Sequence, residues 1–204
     1  MTRPVVELWY DVVCPYAYLA STQIDAIAER HGAVVEWHAF LLGGVLKSVG
    51  TADNAMAQMS RPRLHHNWLD MHRWAEHFDV SLEMPAEHPR RTVLAMRAIL
   101  AAGEEGRVAA TRALFAAYWA RGEDVTRPDV VAAVLDRAGL DGAGCVERAA
   151  TPGVKTDLHA RTDEAIRRGI FGAPTMFVGS QMYWGQDRLD FVARALSASS
   201  GPGP

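Results

Sequence analysis

Residues typical of β-strands occur only near the two ends of this chain, and helix-forming residues fill the long stretch between them. Residues 5–10 and 34–40 predict two strands, and the segment that Pro15 opens between them has helical spacing of its apolar side chains. Two strands joined by a helix predict a parallel pair. Strand-forming residues return only after Gly172, where two short runs separated by a Gly-Ser turn predict a hairpin.

The composition restricts the classes of partner. The chain of 204 residues is 49% hydrophobic, and its 21 basic residues nearly balance 24 acidic residues, which argues against nucleic acid and against an anionic membrane surface. No apolar stretch approaches the ~20 residues of a membrane span, and the first residues lack the pattern of an export signal. Cys14 and Cys145 lie far apart, which favours a reducing compartment over a disulfide scaffold. We expect a cytoplasmic protein.

Cys14 occupies the most informative position in the sequence. It follows the first predicted strand and precedes Pro15 at a predicted helix start, where unpaired amides and the helix dipole favour negative charge. Cysteines at such positions have pKa values of about 3.5–7.5 in place of about 8.5, so we expect an acidified, functional thiol. The alternative is that Cys14 is a small buried hydrophobic residue.

The segment Cys14-Pro15-Tyr16-Ala17 is similar to a C-x-x-C redox motif whose second cysteine has become Ala17. A local dithiol cycle is therefore excluded, although a single thiol can still form a mixed disulfide. Cys145 lies in the helical stretch, and we expect it to fill the core.

A proline at the start of the second strand region supports a thioredoxin-like arrangement. In Gly172-Ala173-Pro174-Thr175 it follows a turn of small residues. Thioredoxin-like folds place a cis-proline at such a strand start, facing the active-site helix, and the backbone before it is free to pair with a bound peptide. The alternative is an ordinary trans-proline, because only ~5–6% of X–Pro bonds in folded proteins are cis.

Longer motifs extend this similarity over most of the chain. They are YDVVCPYAYLA from Tyr10, FLLGGVLK from Phe40, RWA from Arg73, GIFGAPTMFVG from Gly169 and WGQDRL from Trp184. On these residues the chain resembles the 2-hydroxychromene-2-carboxylate isomerases and the kappa-class glutathione transferases of the wider DsbA family.

The resemblance implies an α/β fold in which a thioredoxin-like domain carries a large inserted all-helical domain. The thioredoxin-like domain would consist of residues 1–46 and 169–198, and the helical domain of residues 47–168. Residues 199–204 form a tail of small residues that we expect to be disordered. Glutathione would bind in the cleft between the two domains. Kappa-class relatives are often dimers, so a homodimer is a further expectation.

The resemblance also implies roles at the glutathione site. Cys14 replaces a family serine that interacts with the glutathione sulfur. The backbone of Ile170, Ala173 and Pro174 would pair with the tripeptide, while Gln186 and Asp187 would receive its γ-glutamyl end. For Asp187 the alternative is an acidic residue that merely favours the first turn of a helix.

Three further residues are candidates for substrate contacts. Lys47 matches a family lysine that holds the glycyl carboxylate or an anionic substrate; its alternative is a solvated surface lysine. Tyr16 and Trp74 are candidates to line an aromatic substrate pocket, although aromatic residues at helical spacing more often belong to the core.

The sequence departs from the family pattern at two positions and is rich in histidine. Cysteine at position 14 is a weaker hydrogen-bond donor and a stronger nucleophile than the family serine. Thr51 stands where the family usually has asparagine. Five of the eight histidines crowd part of the insertion but lack tight metal-ligand spacing, so we expect solvated or locally bonded imidazoles and no metal site. They are His65, His66, His72, His77 and His88.

Three functions remain as hypotheses. The leading one is a glutathione-dependent cis-trans isomerase of a conjugated aromatic 2-oxo acid, such as a ring-opened hydroxychromene carboxylate, with Cys14 as the catalytic residue. The second is a monothiol DsbA-like thiol-disulfide oxidoreductase or kappa-like glutathione transferase, in which Cys14 forms a mixed disulfide. The third is a non-enzymatic module that binds a small thiol or peptide in the same cleft. Fold similarity alone does not separate them.

Overall fold

The computed structural model describes residues 3–51 and 55–199. Its strands are β1 (Val5–Tyr10), β2 (Val34–Ala39), β3 (Thr175–Val178) and β4 (Gln181–Trp184). Its α-helices are α1 (Pro15–Ser21), α2 (Ile24–Arg30), α3 (Leu42–Ser48), α4 (Arg61–His77), α5 (Val93–Ala101), α6 (Gly103–Arg121), α7 (Pro128–Arg137), α8 (Gly142–Ala149), α9 (Pro152–Arg167) and α10 (Leu189–Ser199). Short 3₁₀ turns at Ala55–Gln58 and Gln186–Arg188 precede α4 and α10.

The four strands form one mixed sheet in the order β2-β1-β3-β4. β1 pairs with β2 in parallel, Val5 opposite Val34, and the connection between them contains helices, as the sequence predicts. β3 runs antiparallel to β1 and forms a hairpin with β4 through the predicted Gly-Ser turn. This is a thioredoxin-like sheet with the long helical stretch inserted between β2 and β3, so the predicted fold class is confirmed.

The helical stretch packs directly against the carboxyl end of β1. The Tyr10 hydroxyl lies 2.6 Å from Thr111 Oγ1 on α6, and the indole N–H of Trp119 donates to the Val12 carbonyl at 2.8 Å. Tyr10 and Trp119 are almost completely buried, which makes these bonds costly to leave unmade. α6 therefore fixes the loop from β1 to α1, which contains Cys14, at Tyr10 and at Val12.

Some element boundaries differ from the sequence prediction. The sequence predicts one helix in the segment that Pro15 opens. In the structure α1 ends at Ser21 and a separate short helix, α2, follows it. α9 packs on α3, α5 and β2. α10 extends to Ser199, so the helix continues one residue into the predicted disordered tail, whose other residues lie outside the described ranges. The residue limits of the two domains stay a prediction.

No helix within residues 3–51 and 55–199 combines the length and the apolar character that crossing a bilayer requires.

Candidate active site

A cavity of about 430 Å³ opens where α1 begins, between the sheet and the helical stretch. This volume lies within the usual range for small-molecule sites. The described residues that line it come from the start of α1, from α3, from the 3₁₀ turn and linker before α4, from α4, from the loop before α5, from the segment before β3, and from the end of β4 with the turn that follows it. They are Val13, Cys14, Pro15, Tyr16, Leu42, Leu46, Met56, Met59, Arg63, Asn67, Asp70, Met71, His88, Pro89, Ala173, Trp184, Gly185, Gln186, Asp187 and Arg188.

Cys14 is the N-cap residue of α1, in extended conformation, and Pro15 occupies the first turn of that helix. Its thiol is 6% exposed and donates a hydrogen bond to the Ala173 carbonyl, with 3.1 Å between Sγ and oxygen. The Ala173–Pro174 peptide bond is cis, as the resemblance to thioredoxin-like folds implies. The first helix and the strand start at Pro174 therefore meet at this thiol.

The expectation of an acidified Cys14 is wrong. Burial raises the pKa of the Cys14 thiol to about 12, although the backbone N–H groups of Tyr16 and Ala17 act in the opposite direction. The nearby Asp11 carboxylate raises it further. The prediction failed because helix-start amides lower a thiol pKa only where desolvation does not dominate. At neutral pH Cys14 is a protonated thiol, which is a hydrogen-bond donor.

This protonation state predicts slow alkylation of Cys14 in the free protein. We expect the rate with iodoacetamide to rise about tenfold per pH unit up to the highest pH at which the fold persists, because only the thiolate reacts. Mass spectrometry of the Cys14 peptide over a pH series measures this rate, and the Cys145→Ala variant removes the second thiol. A rate that levels off near pH 7 would contradict the assigned protonation state.

The backbone beside Pro174 offers an unpaired donor. No described residue accepts a hydrogen bond from the Ala173 N–H, while the Ala173 carbonyl is engaged only by the Cys14 thiol. The Ile170 N–H, in contrast, donates to the Ala165 carbonyl at 3.0 Å, and the Ile170 side chain is 1% exposed. Of the predicted main-chain contacts to a tripeptide, Ala173 is buried but lines the cavity, Pro174 is buried next to it, and Ile170 belongs to the core.

Gln186 and Asp187 lie where β4 turns towards α10. Gln186 lines the cavity with 6% of its surface exposed, and its carboxamide hydrogen-bonds to none of the described residues. Neither amide atom is among the fully buried polar atoms that lack a partner, so the carboxamide keeps exposed surface at which a ligand can bind. Asp187 is paired with Arg188 at 2.9 Å, which places a carboxylate and a guanidinium side by side at this end of the cavity.

Among the three predicted substrate contacts, only Tyr16 lines the cavity. Burial raises the pKa of Tyr16 to about 12, and the carboxylates of Asp70 and Asp187 add to that shift. Lys47 is exposed on α3 and is not among the described lining residues. Trp74 packs against Phe78 with ring centroids 5.3 Å apart, also away from the described lining.

The structure adds a polar stripe of α4 that sequence analysis missed. Arg63, Asn67 and Asp70 line the cavity, and their spacing of four and three residues puts them on one helical face. That spacing was a usable signal in the sequence, although it did not reveal which face of α4 is turned to Cys14. Arg63 forms no ion pair with any described residue. The end of the cavity contributed by α4 therefore carries a guanidinium that has no ion-pair partner within residues 3–51 and 55–199.

The buried residue Asp11, which sequence analysis also missed, connects the segments that form the site. Its carboxylate is 2% exposed and accepts hydrogen bonds from Thr92 Oγ1 at 2.6 Å, Leu42 N at 2.9 Å and Val13 N at 3.1 Å. Its main-chain carbonyl accepts from the Cys14 N–H at 3.1 Å. One residue at the end of β1 thus connects the Cys14 loop to the starts of α3 and α5.

Within the described ranges, no group of three His, Cys, Asp or Glu side chains is placed to hold a metal ion.

The sheet, the cis-proline and the single thiol at the start of α1 define a thioredoxin-fold protein with a one-cysteine site. The family model described as a DSBA-like thioredoxin domain matches residues 5–197. The chain therefore belongs to the DsbA-like thioredoxin family.

Curated relatives of this chain carry the names of two kinds of enzyme. A 2-hydroxychromene-2-carboxylate isomerase of Sphingobium xenophagum is 28% identical over 196 residues, which cover 96% of this chain and 99% of the relative. Glutathione S-transferase kappa 1 of Homo sapiens is 28% identical over 218 residues, covering 98% and 94%. A solved 2-hydroxychromene-2-carboxylate isomerase superposes with a TM-score of 0.87 at 25% identity, covering 96% of this chain and 95% of that one. These similarities agree with the resemblance drawn from the sequence motifs.

Proposed function

We propose that this protein is a glutathione-dependent cis-trans isomerase of a conjugated aromatic 2-oxo acid. The observation that carries the proposal is the protonated Cys14 thiol at the cavity wall, placed as a hydrogen-bond donor in the manner of a serine. Relatives with near-complete coverage are named for 2-hydroxychromene-2-carboxylate isomerisation, which favours that class of substrate.

The polar groups of the cavity suit the functional groups of glutathione. The unpaired Ala173 N–H can bind the tripeptide main chain. The unpartnered Gln186 carboxamide and the Asp187–Arg188 pair can bind the γ-glutamyl end, which carries both an ammonium and a carboxylate. Arg63 is available for a carboxylate, either that of the glycyl end or that of the 2-oxo acid.

In the proposed reaction the glutathione thiolate adds to the conjugated double bond. A carbon–sulfur bond forms, and the π electrons move to the carbonyl oxygen to give an enolate. The former double bond is now single and can rotate. Collapse of the enolate re-forms the double bond in the other geometry and expels the same thiolate, so glutathione is not consumed. Cys14 would donate its Sγ–H to the glutathione sulfur and so favour the thiolate form.

The competing function, a monothiol oxidoreductase or kappa-like transferase, requires Cys14 itself to become a thiolate that attacks glutathione disulfide. Burial raises the pKa of the Cys14 thiol to about 12, which disfavours that step in the free protein. Formation of a Cys14–glutathione mixed disulfide at neutral pH, detected by intact mass, would favour this alternative.

Calorimetric titration with reduced glutathione under anaerobic conditions tests the proposed site. We expect saturable binding to the wild type and about tenfold weaker binding to Gln186→Met, which keeps the length of the side chain but removes its hydrogen bonds to a charged group. Arg63→Gln is expected to weaken binding of glutathione or of the 2-oxo acid to a similar degree. Arg61→Gln, on the same helix but outside the cavity lining, is the matched control and should bind as the wild type does.

Two further measurements complete this test. The Lys47→Gln variant decides the role of Lys47, because a weaker affinity would place that exposed lysine at the ligand. Conversion of 2-hydroxychromene-2-carboxylate, followed by absorbance with and without glutathione, tests the reaction. Binding without conversion would favour the transferase or the non-enzymatic module, and absence of glutathione binding would overturn the proposal.

A further inference from the structure

His88 lines the same cavity as Cys14 and has no role in the function proposed so far. It lies in the loop between α4 and α5, with its ring 5.0 Å from that of Trp119 and 6.0 Å from that of Tyr118. Trp119 in turn donates its indole N–H to the carbonyl of Val12, two residues before Cys14. The imidazole is thus fixed by aromatic packing on the same framework that holds the Cys14 loop.

The hydrogen bonds of Tyr118 determine which nitrogen of His88 carries the proton. Tyr118 is 0% exposed, and its hydroxyl oxygen accepts from the Arg90 N–H at 3.1 Å. Its own proton needs an acceptor, and His88 Nδ1 lies 3.0 Å away. If Nδ1 carried a proton, the buried hydroxyl would face two donors and its proton would have no partner among the described residues. Nδ1 is therefore the acceptor, and the proton of the neutral imidazole is on Nε2.

The Nε2–H group of His88 is free to bind a ligand. It hydrogen-bonds to no described residue, and it is not among the buried polar atoms that lack a partner. The atom therefore keeps exposed surface, and because His88 lines the cavity, the inference directs its Nε2–H into that cavity. The result is an oriented N–H donor on one side of the cavity and the Cys14 thiol on another.

We propose that His88 is a further catalytic residue, whose Nε2–H donates a hydrogen bond to the carbonyl oxygen of the bound 2-oxo acid. This inference rests on the proposed function. When the glutathione sulfur bonds to carbon, the electron pair of the double bond moves to that oxygen, and a donor already in place stabilises the enolate. No proton is transferred, and elimination of the thiolate returns the electrons to the double bond.

The electrostatic environment suits a neutral donor. Burial lowers the pKa of His88 to about 4, so the imidazole is uncharged at neutral pH. The neighbouring charge of Arg90 is compensated by Asp124 at 2.5 Å and by Glu87 at 3.5 Å. A neutral N–H leaves the enolate basic enough to expel the thiolate, which reversible addition requires.

Two substitutions of His88 by amide side chains distinguish the Nε2–H donor from the contact that Nδ1 makes with Tyr118. In His88→Gln the side-chain nitrogen can take the place of Nε2, so the cavity donor is kept. In His88→Asn the amide oxygen can take the place of Nδ1 and accept from Tyr118, but the cavity donor is lost. For glutathione-dependent isomerisation of 2-hydroxychromene-2-carboxylate we expect kcat to fall about 100-fold in His88→Asn and by less than about tenfold in His88→Gln.

Glutathione affinity by calorimetry should match the wild type in both variants, because the inference places no glutathione contact on His88. His65→Asn, exposed on α4, is the control and should keep the wild-type kcat. A wild type that isomerises with glutathione, together with an unimpaired His88→Asn or an equally impaired His88→Gln, would overturn the role of His88 alone. A wild type without isomerisation would overturn the proposed function and with it this inference.

The tautomer is testable without any substrate. Long-range ¹H–¹⁵N correlation spectra of the free protein should show His88 as the neutral form protonated on Nε2, and the His88→Asn spectrum provides the assignment. A proton on Nδ1 would contradict the inference whatever the kinetic results.

Discussion

Replacement of Cys14 by alanine is expected to lower kcat/KM for glutathione-dependent isomerisation by about 100-fold or more, whereas Cys14→Ser should retain activity. The alanine variant removes the donor that would stabilise the glutathione thiolate, and the loss of one such donor in an enclosed site typically costs a factor of about 10²–10³. Serine restores a stronger donor of similar size. Initial rates at saturating glutathione, with the thermal midpoint of each variant as a check of folding, measure the effect.

The Cys145→Ala variant is the matched control for this pair. Cys145 is also buried, at 1% exposure, but it lies on α8 and accepts its hydrogen bond from Arg148 at 3.3 Å, outside the cavity lining. We expect unchanged activity. If Cys14→Ser were as inactive as Cys14→Ala, the hydrogen-bonding role would be contradicted, and a nucleophilic role for the Cys14 thiolate would be favoured. An alanine variant with full activity would remove Cys14 from the reaction altogether.

The features that could be predicted from the sequence are those that depend on residues close together in the chain or on a recognisable motif. The β-branched and aromatic runs at both chain ends gave the strands and the hairpin, and Pro15 marked the start of α1. The position of Cys14 between strand and proline pointed to a residue that lines the cavity, and the resemblance supplied the cis bond before Pro174. Each of these depends on a few neighbouring residues or on a motif.

The properties that failed or were missed depend on tertiary burial. The pKa of Cys14 is set by how completely the sheet and the helices exclude water, and no sequence motif contains that quantity. The exposure of Lys47 follows from the face of α3 that packs inward. The role inferred for His88 requires Tyr118, 30 residues further along the chain, to fix its tautomer. Residues that meet only in the folded chain gave no sequence pattern to interpret.

Asp11 shows the same limitation, since its position in a conspicuous motif did not indicate its three hydrogen bonds. We expect Asp11→Ala to lower the free energy of unfolding by about 3–5 kcal/mol, because it leaves buried donors on Thr92, Leu42 and Val13 without an acceptor. Urea unfolding followed by tryptophan fluorescence measures the change. Asp163→Ala removes an exposed carboxylate and should change the free energy by less than about 0.5 kcal/mol.

The pH dependence gives Asp11 a second, independent signature. Burial raises the pKa of its carboxyl group in the folded protein, which outweighs the hydrogen bonds that favour the ionised form. A folded-state pKa above the unfolded value of about 3.9 means that the stabilising contribution is complete below that pH and is lost as pH rises through the raised pKa. Asp11→Asn cannot ionise, so the wild type should lose stability relative to this variant across that interval. A difference between the two that is constant with pH would mean that folding does not shift the Asp11 pKa, and a change in the opposite direction would mean that its hydrogen bonds outweigh its burial and stabilise the carboxylate.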